Sequence, residues 1–325
     1  MKIGFYNDHR PCIVKENGVV DISREVRSLE GGTPQVTLEN IISNWQFLRP
    51  RLERLAERGR VIPMSQVRLR APVPRPGKVL CGRGNFIEGV PVHPMRPLAT
   101  FFKSPDAVIG PGDTIVLPTF RPNIFHHEAE LAVVIGKPAH NVPEAQALDY
   151  VFGYTTSVDV SARAPVEGEP PLAGEYGKSF DTFLPLGPAI TTADEIRNPN
   201  DLGVKYSVNG QLRQNYRTSD MEHSVGYVIA ALSAVMTLKP GDLILCGTNH
   251  QGLGPLQDGD VGEIEIENVG RSSNPVVDSM KRKWEWAVDP TMGARVRERR
   301  ASLDGTPSTG TWPLTPPSPA PIRRD

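Results

Sequence analysis

The chain is short of net charge, of cysteine and of long apolar runs. Its 325 residues hold 36 lysines and arginines against 37 aspartates and glutamates, a formal charge of −1. That balance points to neither nucleic acid nor an anionic membrane as a partner. No stretch approaches the roughly 18 apolar residues of a membrane span, and the opening MKIGFYNDHR lacks the apolar centre of an export signal. The expectation is a soluble, cytoplasmic protein. Cys12, Cys81 and Cys246 are odd in number, far apart and in no C-x-x-C pair, so they read as reduced, mostly buried thiols.

What the chain does have is concentrated in FHHEAELAVVIG, residues 125–136. Leu131, Val133, Val134 and Ile135 predict a β-strand. A strand sends residues i and i+2 to one face, so Glu128 and Glu130 point the same way, with Cβ atoms roughly 6–7 Å apart. Two such acids on an apolar strand repel each other and lose hydration. A divalent cation between them removes both problems. The alternative is an edge strand with solvated acids.

Residues 1–22 predict a small antiparallel sheet, with Asn17-Gly18 as a two-residue hairpin turn. Residues 37–59 predict helix: Thr37 as N-cap, Ile41, Ile42, Trp45 and Leu48 at helical spacing, and Pro50 splitting the pattern in two. APVPRPG at 71–77 reads as a linker, which places a small N-terminal domain at 1–70. The part from 71 to 282 is richer in short strands, among them 150–159, 262–270 and a second Asn-Gly hairpin at 205–214. The segments GPGDTIVLP (110–118) and KPGDLILCG (239–247) share a turn-into-strand pattern. One long helix is predicted over 220–238, with Ser219 and Glu222 as a capping box and Met221, Val225, Val228, Ile229, Leu232, Val235 and Met236 as its buried stripe. Glu222 is thereby read as a cap and not a catalyst. From 283 to 325 the composition turns Arg-, Pro- and Ser-rich, and 290–325 is expected to be mostly disordered.

Asp159 closes the 150–159 strand, and Lys178 lies in the Gly-flanked loop GEYGKSFDTF. An acid at a strand end is often a turn cap, and a loop lysine is usually solvated. Together, however, Glu128, Glu130 and Asp159 offer three hard oxygen ligands, which suit Mg²⁺, Mn²⁺ or Ca²⁺ better than zinc. A nearby lysine would balance the third charge and hold a substrate carboxylate.

The ordered motifs HHEAELAVVIGK, GYTTSVDVSAR, GKSFDTFLPLGP, VNGQLRQ and LKPGDLILCGT closely resemble the fumarylacetoacetate hydrolase family, from about Lys78 to Val277. The resemblance implies an α+β, mostly β fold, the family's mixed β-roll with helices outside, and a homodimer. It implies that Glu128, Glu130 and Asp159 hold Mg²⁺ or Mn²⁺, that Lys178 stands beside the metal, that Arg163 is the catalytic arginine of the family's S-A-R-D motif, and that Thr248 contacts substrate. Family members bind 2-oxo or 2,4-dioxo acids and cleave a C–C bond, decarboxylate or tautomerise them.

Hydrolysis also needs a base to activate water. The family's lid segment reads G-x-N-Y-x-x-H; here Gly89 stands in the histidine position and Phe86 in that of the tyrosine. His250 is the first candidate to replace the base; His93, with Glu88 as its accompanying acid, is the second, and His223 is a further possibility. His126 and His127 read as scaffold. Arg83–Arg96, with Gly84, Gly89, Pro91 and Pro94, is expected to be a mobile lid. On closing, Arg83 would pair with a substrate carboxylate and Phe86 would shield the metal. The leading reading is a metal-dependent hydrolase of an acylpyruvate-like 2,4-dioxo acid. Its rivals are a decarboxylase or keto–enol tautomerase of an oxaloacetate-like acid, and a catalytically silent ligand-binding member.

Overall fold

The computed structural model describes residues 1–119, 124–163 and 176–303. Three opening strands, Lys2–Tyr6, Arg10–Lys15 and Gly18–Asp21, form the expected antiparallel sheet. The turn lies one residue earlier than predicted, because Gly18 already pairs with Lys15. Gly18 is needed for a close approach: a Cβ there would sit 2.0 Å from the Ile62 carbonyl oxygen of the strand Val61–Pro63. The second hairpin is as predicted, with Asn209 and Gly210 both at positive φ between Gly203–Val208 and Gln211–Arg217.

The opening strands continue directly into the large sheet. Lys2–Tyr6 pairs antiparallel with Leu184–Thr192, which is followed in order by Val151–Val158, Ala129–Ile135, Leu243–Leu245, Val79–Arg83 and Ala99–Phe102. Leu243–Leu245 and Val79–Arg83 run parallel. A second, five-stranded sheet is ordered Gln211–Arg217, Gly203–Val208, Val261–Ile266, Gly270–Asp278 and Ile115–Leu117, its last pair parallel. The fold is therefore α+β and mostly β, with mixed sheets. Ala129–Ile135 is buried on both faces, which explains its near-continuous apolar run.

The turn shared by 110–118 and 239–247 has one physical form. The aspartate carboxylate accepts the backbone N–H three residues earlier, Gly110 to Asp113 at 2.9 Å and Lys239 to Asp242 at 2.7 Å. Gly112 and Gly241 supply the positive φ. A third copy, Gln257 to Asp260 at 2.8 Å, precedes Val261–Ile266.

Helix boundaries differ from the sequence reading in three places. α1 spans Pro34–Ser43 and is capped by Thr33, whose hydroxyl accepts the Val36 N–H; Thr37 lies inside it. The chain breaks at Asn44, and α2 spans Trp45–Arg58 with Pro50 inside. One missing donor does not end a helix that packs Trp45, Leu48, Leu52 and Leu55 on a single core. α3 spans only Val225–Val235, with Ser224 as its cap. The Ser219–Glu222 box does not form, because the Glu222 carboxylate is occupied by Arg96 and Arg300. In the segment expected to be mostly disordered, Met292–Ala301 is a helix, α4, and residues 304–325 lie outside the described residues. No helix of the described residues is long and apolar enough to cross a membrane.

Candidate active site

The strand predicted over 125–136 is two strands, Ile124–His126 and Ala129–Ile135, which break at His127 and Glu128. The first pairs with Ser161–Arg163 and the second with Val151–Val158. The break lets Glu128 face Asp159, whose backbone N–H donates to the Glu128 carbonyl at 2.8 Å. Glu128, Glu130 and Asp159 are all buried, and one carboxylate oxygen from each lies within 4.8 Å of the others. Burying three acids this closely demands positive charge, and hard oxygen donors at this spacing fit a divalent cation such as Mg²⁺ or Mn²⁺.

Side-chain cations already surround them. Lys178 Nζ donates to Glu128 Oε2 at 2.6 Å, to Asp159 Oδ2 at 2.7 Å and to Ser161 Oγ at 2.5 Å. Arg163 donates to Glu128 Oε1. Lys103, a residue the sequence reading did not single out, is fully buried and donates to the other oxygen of Asp159 at 2.8 Å and to the Lys178 carbonyl. In TFFKSPD nothing in spacing or composition marks that lysine; only the pairing of Ala99–Phe102 with Val79–Arg83 carries it inward.

The three acids are electrically unequal. Burial alone would raise Glu128, but Lys178 and Arg163 hold it well below the usual carboxylate range. Among the described residues, the Glu130 carboxylate accepts only the Gly247 N–H, at 2.7 Å. Burial, followed by the charges of Asp159 and Glu128, pushes its proton affinity well up. Burial opposes the charge on Lys178, yet Asp159 and Glu128 outweigh it and its pKa rises. Lys178 is thus held as a cation.

A cavity of about 100 Å³ opens onto these groups, lined by Arg83, Phe101, Arg163, Thr248 and His250 together with Glu128, Glu130 and Lys178. Thr248 is set by Gln214, which is fully buried: its amide donates to Thr248 Oγ1 at 2.8 Å and to the Asn249 carbonyl at 2.7 Å. The same side chain accepts the Ala129 N–H at 3.2 Å and meets His127 Nδ1 at 3.0 Å. His127 also stacks on Tyr206, with ring centroids 4.3 Å apart.

His250 lines the cavity and is paired with Glu88. One Glu88 oxygen accepts the His250 backbone N–H at 3.0 Å and lies 2.5 Å from the ring Nδ1. With Nδ1 donating to the carboxylate, Nε2 is the nitrogen left to take a proton. Glu88 is 2% exposed, at φ +54°, and its own N–H donates to Asp220 at 3.0 Å. His93 is exposed and outside the cavity lining. Phe86 is buried against the Tyr216 ring, edge to face at 5.0 Å, and does not line the cavity. His223 is buried against Tyr227, also away from the lining.

The model of the fumarylacetoacetate hydrolase C-terminal domain matches residues 82–277. A maleylpyruvate hydrolase of Aquipseudomonas alcaligenes is 33% identical over 286 residues, covering 83% of this chain and 97% of that protein. A mitochondrial oxaloacetate tautomerase of Xenopus laevis is 40% identical over 229 residues, 67% of this chain and 70% of its own length. Among solved structures, the maleylpyruvate hydrolase of Sphingobium sp. SYK-6 in complex with manganese(II) and pyruvate matches with a TM-score of 0.77 and 34% identity. That match covers 86% of this chain and 99% of that one.

Proposed function

The chain belongs to the fumarylacetoacetate hydrolase family, and on that premise we propose that it is a metal-dependent hydrolase cleaving a 2,4-dioxo acid of the acylpyruvate type. The observation that carries this reading is that His250, paired with Glu88, lines the same small cavity as Glu128 and Glu130 of the acid cluster. Tautomerisation or hydrolysis needs a proton acceptor, and the histidine missing from position 89 is replaced there from another loop. Glu128, Glu130 and Asp159 would hold Mg²⁺ or Mn²⁺, with Ca²⁺ as a further option. When bound, the cation would supply Lewis-acid polarisation of the 2-oxo acid's oxygens.

The chain's own groups supply the rest. His250 Nε2 takes a proton from water as its oxygen attacks the 4-carbonyl. The C3–C4 bond then breaks and its electron pair passes to C3, as the enolate of a 2-oxo acid; His250 returns the proton to C3, and the acyl half leaves as a carboxylic acid. Lys178 and Arg163 keep positive charge beside the developing anion. Thr248, fixed by Gln214, orients the substrate, and Arg83 at the cavity mouth pairs with a second carboxylate. Without the cation, the three acids are matched in number by Lys103, Lys178 and Arg163. A bound divalent ion leaves two positive charges to neutralise, which favours a dianionic substrate.

A second reading, tautomerisation or decarboxylation of an oxaloacetate-like acid, is favoured by the size of the cavity, since about 100 Å³ suits a small substrate. A silent binding protein is disfavoured by a base on the cavity that Glu128 and Glu130 line, with Asp159 clustered beside them. Purified protein with Mn²⁺ would be tested on acetylpyruvate, on maleylpyruvate and on oxaloacetate. Loss of diketone absorbance with release of pyruvate supports the hydrolase; enol–keto conversion or CO₂ release from oxaloacetate alone replaces it with the second reading.

The homodimer belongs to this proposal as well. Val116 and Val277, neighbours across parallel strands, are 48% and 45% exposed, a surface a second copy would cover. Sedimentation as a monomer at micromolar concentration would remove that part.

A further inference from the structure

Among the described residues, Arg300 has the largest of the fully buried side chains, at 2% exposure, and it comes from α4. A guanidinium is costly to bury unless its donors are used. Here Nε donates to the Val90 carbonyl at 2.8 Å and Nη1 to Glu222 Oε2 at 3.0 Å. The same Glu222 oxygen accepts Arg96 Nε at 2.9 Å, and Arg96 Nη2 reaches the Gly84 carbonyl at 2.5 Å. Gly84, Val90 and Arg96 bracket Glu88. The segment from Gly84 to Arg96 is therefore tied at two points, Val90 to Arg300 of α4 and Arg96 to Glu222, while the Arg96 bond to Gly84 closes the segment on itself.

The other end of α4 meets the loop that carries His250. Asp289 N–H donates to the Leu253 carbonyl at 2.7 Å, and a Cβ on Gly293 would lie 3.6 Å from Gln251 Cα. Ten helical residues span roughly 15 Å, so one rigid element touches both loops that supply the base pair.

We infer that Arg300 is a positioning residue: through Val90 and Glu222 it holds Glu88 against His250, and α4 thereby sets the geometry of the base. This rests on the assignment of Glu88–His250 above, so its test has a readout independent of turnover. The Glu88 carboxylate covers the His250 backbone N–H, whose hydrogen exchange reports on the pair directly.

In the full chain, Arg300→Gln should speed exchange at the His250 amide at least tenfold. Mn²⁺ affinity by calorimetry should stay within twofold, because Arg300 touches none of the three acids. Turnover should fall at least tenfold in kcat with little change in KM. In a Glu88→Gln background the same substitution should cost less than twofold more, since the group it positions is already gone. Arg300→Lys, which keeps the charge near Glu222 and loses the planar fork, should fall between wild type and Arg300→Gln; it serves in its place if that variant does not fold. Unchanged exchange at His250, or an equal loss of turnover in the Glu88→Gln background, would overturn the inference. A wild type that turns over no oxo acid defeats the functional reading alone, because the exchange result still decides whether Arg300 sets the pair.

Discussion

Glu88 and His250, 162 residues apart, share one carboxylate oxygen between a backbone N–H and a ring nitrogen. A carboxylate held in this way fixes both the tautomer and the direction of an imidazole. His250→Ala should lower turnover by about 10²–10⁴-fold, the usual worth of a general base. Glu88→Gln should lose less. His93→Ala should stay within about twofold of wild type by the same steady-state assay, and a larger loss would return His93 to the mechanism.

The metal ligands should separate on stability. Among the described residues Glu130 meets one N–H, so Glu130→Gln removes a strained charge; Mn²⁺ affinity by calorimetry should fall about 100-fold or more with the melting temperature held or raised. Asp159→Ala should lose affinity and also about 3–5 kcal/mol of stability, because it leaves Lys103 buried without its carboxylate. Equal melting temperatures for the two variants would contradict this.

Acid should destabilise the metal-free protein earlier than its carboxylates alone would require. Burial, joined by nearby Arg163, depresses His126 to about 3, and burial depresses His127 to about 4. Both lie below the ordinary value near 6.5. Between those limits the unfolded chain binds protons that the folded chain refuses, so stability is complete above pH 6.5 and declines toward pH 4. The slope is about 1.4 kcal/mol per pH unit for each group. Urea unfolding at pH 7, 6 and 5 in EDTA should show it, and His127→Gln should flatten it.

Gln214→Leu should cost about 2–4 kcal/mol, since it strands the buried Ala129 N–H and Asn249 carbonyl. It should also raise KM by releasing Thr248. Denaturant midpoints and initial rates measure the two effects separately.

The acid cluster was legible from two glutamates one residue apart beside an apolar strand, although the chain breaks at His127 and Glu128 and the break, not strand alternation, turns Glu128 toward Asp159; Asp159 and Lys178 followed from ordered motifs. The α+β, mostly β class was legible from short alternating runs between turn residues. Lys103 and Gln214 were not, because each is brought inward by strand pairing across long separations rather than by local pattern. The capping box at Ser219 failed for a related reason: Glu222 has a stronger claim from two arginines that are distant in sequence. The same tertiary claim hid α4, whose Arg-rich composition resembles a solvated segment until Arg300 is seen buried.

The continuity of Lys2–Tyr6 with Leu184–Thr192 has a bearing on solubility. The first strands occupy the backbone hydrogen-bonding groups along one margin of the large sheet, a margin that would otherwise offer unpaired N–H and C=O groups to any neighbouring chain. A version trimmed to residue 71 onward would keep every acid and base of the cavity and would expose that margin. Its failure in a refolding experiment would show as self-association through β-pairing, with the chemistry of the site untouched.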